Sequence, residues 1–105
     1  MAAIADTEEK RSYGLMNLAN LTNHQAMLFL FEEEMMINMW MKNTLIDLDM
    51  IFIDKNNKII NIKTGAKKLS LQIISSKYPV NKVLEIKAGL AEKFNIKIGD
   101  YIYIK

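Results

Sequence analysis

The chain has no cysteine among its 105 residues. That excludes disulfide staples, a thiolate nucleophile and cysteine-ligated zinc, and it leaves the redox compartment open. There is one histidine. A Ser-His-Asp triad would therefore need His24 to meet Ser75 or Ser76 and Asp49 in space, and no GxSxG setting offers a nucleophile on a sharp turn. The longest apolar runs, "AMLFLF" and "LIDLDMIFI", are far short of the roughly 20 residues of a membrane-spanning helix, so no transmembrane segment is expected. The amino terminus, "MAAIADTEEK", lacks the basic start and long apolar stretch of a signal peptide. Charge of one sign is also missing. Fourteen Lys and Arg stand against twelve Asp and Glu, a net charge of +2, with no dense basic stripe, so nucleic acid is not an expected partner.

What remains is an ordinary globular balance, half apolar and a quarter charged, in a length suited to a single domain over 1–105. "AAIA" reads as a short first strand. "DTEEKRSYGLM" reads as a helix, with Asp6 or Thr7 as its cap, Glu8 and Glu9 in the first turn, and Gly14 at its end. Asparagines crowd "MNLANLTNHQ", which reads as a loop. "AMLFLF" follows as a buried strand, with Glu32 to Glu34 as a solvated loop.

The next stretch, "MMINMWMKNT", is the hardest to place. Its residues are good helix formers. As a strand, it would put Ile37, Met39 and Met41 on one face and Asn38, Trp40 and Lys42 on the other. "MIFID" and "KIINIK" flank the turn "DKNNK" and read as an antiparallel hairpin. Gly65 opens a polar connection, "LQIISSKYPV" is a strand or extended loop ended by Pro79, and "KVLEI" is a short strand. "AGLAEKFN" is a short helix with Asn95 at its left-handed end. "IKIGDYIYIK" reads as strand, Gly99-Asp100 turn and final strand.

Three constellations carry possible chemistry. Thioethers suit Cu(I) or Ag(I), and Met36, Met39 and Met41 with His24 and Trp40 form a candidate set, although Met39 and Met41 beside Ile37 are better described as one packed core face. Lys42 and Asn43 follow a buried strand, where strand-end loops present ligand contacts. There Lys42 could hold an anion and Asn43 a carbonyl or hydroxyl, while Asp49 could serve as a base or pair with Lys42. Alternatively, these groups cap turns. Glu85, in "VLEI", reads as a buried acid, either structural or part of a site.

In order and spacing, "RSYGLM", "MLFLF", "WMKNTLIDLDMIFID" and "VLEIKAG" resemble the bacterial and archaeal family known as domain of unknown function family 192. Arg11, Gly14, Leu15 and Met16 match its first motif. Met27, Leu28, Phe29 and Phe31 match the second, Trp40, Met41, Lys42, Asn43, Thr44, Asp49, Phe52 and Asp54 the central one, and Val83, Leu84, Glu85, Ala88, Gly89, Gly99 and Asp100 the last. Leu18, Ala26 and Asp47 depart from the pattern.

The resemblance implies a small, barrel-like, mostly antiparallel β fold with one or two short helices, an α+β class, in proteins that are often exported or periplasmic. It brings no assigned activity and no cofactor. The expected function is binding of a small molecule or protein through Trp40, Lys42, Asn43, Asp49, Ser75, Ser76 and Glu85, without catalysis. The alternatives are the Cu(I) or Ag(I) binder and a protein-interaction module using the edge of "YIYIK".

Overall fold

The structure, a computed structural model, describes residues 2–103. Its elements run β1 (Ala2–Ala5), α1 (Glu8–Tyr13), β2 (Ala26–Met35), β3 (Asn38–Met39), β4 (Leu48–Ile53), β5 (Ile59–Ala66), β6 (Ile74–Ser75), β7 (Val80–Lys87) and α2 (Leu90–Lys93). The class is α+β. Five strands form one sheet in the order β1-β2-β7-β4-β5, and β3 pairs with β6 in a second, two-stranded sheet. The large sheet is open, with β1 and β5 as its edges, so the barrel expected from the resemblance does not close. Its pairs are antiparallel except β1 with β2, which run parallel in register from Ala2↔Ala26 to Ala5↔Phe29. Parallel neighbours need a crossover; here α1 and the asparagine-rich loop supply it.

Alternation along the central strands sorts side chains to two faces. All six residues of β4 are buried. Leu48, Met50 and Phe52 join Phe29 and Val83 in the larger core cluster. Ile51 and Ile53 join Ile59, Ile86 and Leu90 in the other, beneath α2. Burying a side chain the size of Phe52 contributes roughly 2 to 3 kcal/mol.

Thr7 caps α1, its hydroxyl accepting from the Lys10 N–H at 3.1 Å. Gly14 ends the helix at φ 53 and ψ −130, a conformation open to glycine. A Cβ there would also come within 3.1 Å of the Phe29 ring.

The methionine-rich stretch, ambiguous between helix and strand on local evidence, is extended, as the family resemblance implies. Ile37 and Met41 are buried, Met39 is half-buried, and Asn38, Trp40 and Lys42 are exposed. Helix propensity loses to pairing with a distant segment. The Ile37 N–H donates to Ser76 Oγ at 2.9 Å, the Ser76 N–H donates to the Ile37 carbonyl at 2.8 Å, and Met39 pairs with Ile74.

Other expectations are corrected. Glu32 to Glu34 continue β2 instead of forming a loop, and the Glu34 carboxyl accepts from the Lys55 N–H at 2.8 Å. Gly65 lies inside β5, not in a connection. The closing strand–turn–strand reduces to turns and a single bridge, Lys58↔Tyr101. Ile102 packs on the second cluster and its N–H donates to the Asn57 carbonyl, so this part of "YIYIK" is not an open strand edge. Ile104 and Lys105 lie outside the described residues.

Candidate functional site

No residue of α1 is buried, and residues of α1, its exit, the sheet and the stretch after β2 together line a cavity of about 480 Å³, within the range of small-ligand sites. The sheet supplies its floor through Phe29 and Glu85, α1 and its exit supply Arg11, Gly14 and Met16, and the stretch after β2 supplies Met36, Met39 and Trp40.

Glu85 lies at the centre of β7, opposite Met27 of β2 and Met50 of β4. That register points it to the face of the larger core cluster, where it is only 4% exposed. No hydrogen bond or ion pair among the described residues reaches its carboxyl, whose oxygens open onto the cavity. Burial in these apolar surroundings pushes its pKa from the ordinary 4.5 up to about 8, because the charged form is the one desolvation penalises. At neutral pH Glu85 is thus mostly a neutral acid, able both to donate and to accept.

Arg11 is half-buried in the cavity wall. One of its guanidinium nitrogens donates to the Leu30 carbonyl at 2.8 Å, and the group lies 4.9 Å from the centre of the Phe31 ring. No carboxylate among the described residues pairs with it. A guanidinium has five N–H donors, so the Leu30 bond fixes its position and leaves donors for a ligand.

The residues singled out from sequence divide sharply. Trp40, Glu85 and Met39 share the cavity. Asp49 does not. It is 1% exposed, and its register against Ile86 places it on the α2 face. Its Oδ1 accepts from the Gly65 N–H at 2.9 Å, and its Oδ2 accepts from Gly89 and Ala91, each at 3.0 Å. Asp49 therefore ties β5 to the start of α2 and is not paired with Lys42.

Ser76 is fully buried and committed to backbone, its hydroxyl accepting from Ile37 and donating to the Tyr78 carbonyl at 2.8 Å. Ser75 Oγ accepts from the Lys77 N–H at 2.9 Å and faces a separate cavity of about 290 Å³. With Asp49 and Ser76 so engaged, the triad with His24 does not assemble. Lys42 and Asn43 form an exposed turn outside the main cavity. Asn43 sits at φ 56, its carbonyl accepts from the Asn17 N–H at 2.8 Å, and Lys42 Nζ lies 5.2 Å from the Trp40 ring centre.

His24, in the turn before β2, is not in the wall that holds Met39, and Met41 is fully buried in the larger core cluster. The proposed His24, Met39 and Met41 set is thus not gathered in that cavity. Among the described residues no group of three or more His, Cys, Asp or Glu side chains could hold a metal ion, and no helix is long and apolar enough to cross a membrane. Sequence reasoning missed Arg11 and Thr44 as cavity residues. The available signal was the "RSYGLM" motif, in which Arg11 was matched to the family pattern but given no place in a site.

Comparison with known proteins adds a family. The family model described as DUF192, Uncharacterized ACR, matches residues 1–104. A UPF0127 protein of Thermococcus gammatolerans is 27% identical over 99 residues, covering 94% of this chain and 63% of that protein. One from Thermococcus kodakarensis is 31% identical over 101 residues, covering 94% and 61%. The chain thus spans about three fifths of the length of these curated relatives.

Two crystal structures superimpose closely. A Sinorhizobium meliloti protein, provisionally designated a transcription regulator, matches at a TM-score of 0.94 and 37% identity, covering 95% of this chain and 78% of its own. A Novosphingobium aromaticivorans protein of unknown function matches at 0.95 and 33%, covering 98% and 74%.

Proposed function

The chain belongs to the DUF192 family, and on that footing we propose that it is a binding domain for a small, largely apolar molecule held in the cavity lined by α1 and the sheet. The observation that carries this reading is Glu85, a carboxyl buried at the floor of an open cavity with no partner among the described residues. Buried polar groups are ordinarily hydrogen-bonded within the fold, and the bonding capacity of Glu85 is left to whatever occupies the cavity. A ligand that bonds to Glu85 takes up that capacity, and the aromatic and thioether walls shield its apolar body from water. Of the site expected from sequence, Trp40 and Glu85 carry this reading, while Lys42 and Asn43 lie at its margin.

Trp40, the one tryptophan, is 43% exposed on the cavity wall and reports occupancy directly. Titrating the protein with a neutral aromatic alcohol such as 4-phenylbutan-1-ol is expected to shift Trp40 emission to the blue and saturate at one equivalent. A linear, non-saturating response to this alcohol and to 4-phenylbutanoate alike overturns the proposal.

One observation favours a second reading. Met16, Met35, Met36 and Met39 line the same cavity as Trp40, a thioether-rich wall suited to Cu(I) or Ag(I). In this form the site dispenses with His24 and Met41. Anaerobic Ag(I) titration with a Met36→Leu, Met39→Leu double variant as control tests it. Stoichiometric binding lost in the variant supports it, and equal binding by both proteins overturns it.

A further inference from the structure

We infer that the cavity selects an organic carboxylate with an apolar body, its carboxylate on Arg11 and a second oxygen, carbonyl or hydroxyl, on Glu85. The inference rests on the binding reading above and deepens it to a ligand class.

Three observations converge. The first is the state of Arg11, held in the cavity wall by the Leu30 carbonyl and the Phe31 ring while no acid among the described residues pairs with it. A planar fork with spare donors, already fixed in place, matches a carboxylate in a two-point contact.

The second is that Glu85 does not serve as the counter-ion. No ion pair joins it to Arg11, and burial alone accounts for its raised pKa. The two groups therefore mark separate points of one cavity. With Glu85 protonated at neutral pH, its O–H is offered to an acceptor oxygen and does not repel an anion.

The third is the space between them, lined by Phe29, Phe31, Met39 and Trp40, which suits an aryl or alkyl body. The other titratable groups in the wall are Glu8 and Tyr13, both on exposed positions of α1. Glu8 is the single carboxylate at the rim that opposes an anion, and it leaves Arg11 unpaired.

A cationic ligand fits worse. An amine seated on Glu85 would share the cavity with the guanidinium and would have to draw the proton off a carboxyl in apolar surroundings.

A matched series tests the ligand class on the intact chain by isothermal titration calorimetry at pH 6.5, using 4-oxo-4-phenylbutanoate, 4-phenylbutanoate, 4-phenylbutan-1-ol and 4-phenylbutylamine. The expected order is oxo-carboxylate tightest, plain carboxylate next, alcohol weaker and amine weakest, with at least tenfold between the oxo-carboxylate and the alcohol. Arg11→Gln is expected to remove the preference for carboxylates over the alcohol, and Arg11→Lys to restore part of it. Raising the pH from 6.5 to 9 is expected to weaken the oxo-carboxylate at least fivefold in the wild type and not in Glu85→Gln.

Alcohol and amine binding as tightly as the carboxylates would overturn the ligand class and leave the cavity reading standing. Binding by no member of the series would overturn both. The wild-type series decides the question even should an Arg11 variant fail to fold.

Discussion

Asp49 and Glu85 sit on adjacent strands, one register step apart, since Asp49 lies opposite Ile86 and Glu85 opposite Met50. Both are acids inside apolar runs, and both are buried, at 1% and 4% exposure. The pleat sends them to opposite faces of the sheet, where their circumstances differ completely. Asp49 accepts three backbone N–H groups, from Gly65, Gly89 and Ala91, and is finished as a structural clamp. Glu85 accepts and donates nothing among the described residues and faces open volume. The contrast teaches that burial of an acid does not identify a site. What distinguishes the two is whether the surrounding backbone has already consumed the carboxyl's bonding capacity.

The largest expected effect comes from breaking the satisfied member. Asp49→Ala strands three N–H donors at once, two of them at the start of α2, and should destabilise the protein by about 4 kcal/mol, since each buried unmade bond costs roughly 1 to 3 and the losses overlap. Urea unfolding measures it. Asp49→Asn, which keeps one acceptor oxygen, should lose distinctly less. A loss below about 1 kcal/mol for Asp49→Ala would mean that the clamp is dispensable and that Asp49 belongs to some other role.

The unsatisfied member should behave in the opposite sense. The folded protein keeps the Glu85 proton up to about pH 8, whereas the unfolded chain releases it near 4.5. Between those values the folded state binds more protons, so stability falls as pH rises through that window and levels off above it. Glu85→Gln removes the titration and should stabilise the protein by about 3 kcal/mol at pH 7. The gain should shrink towards zero near pH 4.5. Urea midpoints of the two proteins across pH 4.5 to 9 check this. Parallel curves would show that Glu85 is ionised and paired in the folded state, which would erase the contrast with Asp49.

Much of the fold was legible because it is written locally. The hairpin of β4 and β5 follows from two β-branched runs about "DKNNK"; for 37–42 local propensity favours a helix, and only the strand reading implied by the resemblance gives the alternation that matches the observed burial. Pairing across long sequence distances was not legible. No local signal says that β1 runs parallel to β2, because that neighbourhood is made by the crossover through α1. Nor does one say that "MMINM" is held extended by Ser76, 39 residues from Ile37.

The candidate site was half legible for the same reason. Trp40 and Glu85 were picked out and do share a cavity. Asp49 and Ser76 were picked out beside them because a polar residue in an apolar run looks the same whether or not distant N–H groups will claim it. Their claimants, at positions 65, 89 and 91 for Asp49 and 37 for Ser76, become neighbours only through the sheet. Arg11 was overlooked as a cavity residue because its anchor, the Leu30 carbonyl, lies 19 residues away and becomes a neighbour only in the fold.

The smallest expected effect sharpens the comparison from outside it. Lys42 belongs to the motif that the family resemblance emphasises, yet it is exposed, pairs with no acid among the described residues, and touches the fold through the face of Trp40 at 5.2 Å. An exposed cation over an aromatic ring contributes about 0.5 to 1 kcal/mol at most. Lys42→Ala should therefore cost no more than that in urea unfolding. A double-mutant cycle with Trp40→Leu should assign most of the loss to the pair, because removing the ring first leaves the ammonium nothing to lose. The same Lys42→Ala variant should bind 4-phenylbutan-1-ol within twofold of wild type, since Lys42 is absent from the cavity wall that Trp40 helps to form. A larger change in binding with stability unmoved would extend the site past Trp40 to the exposed turn, and the division between a satisfied face and an open one would then need a third region.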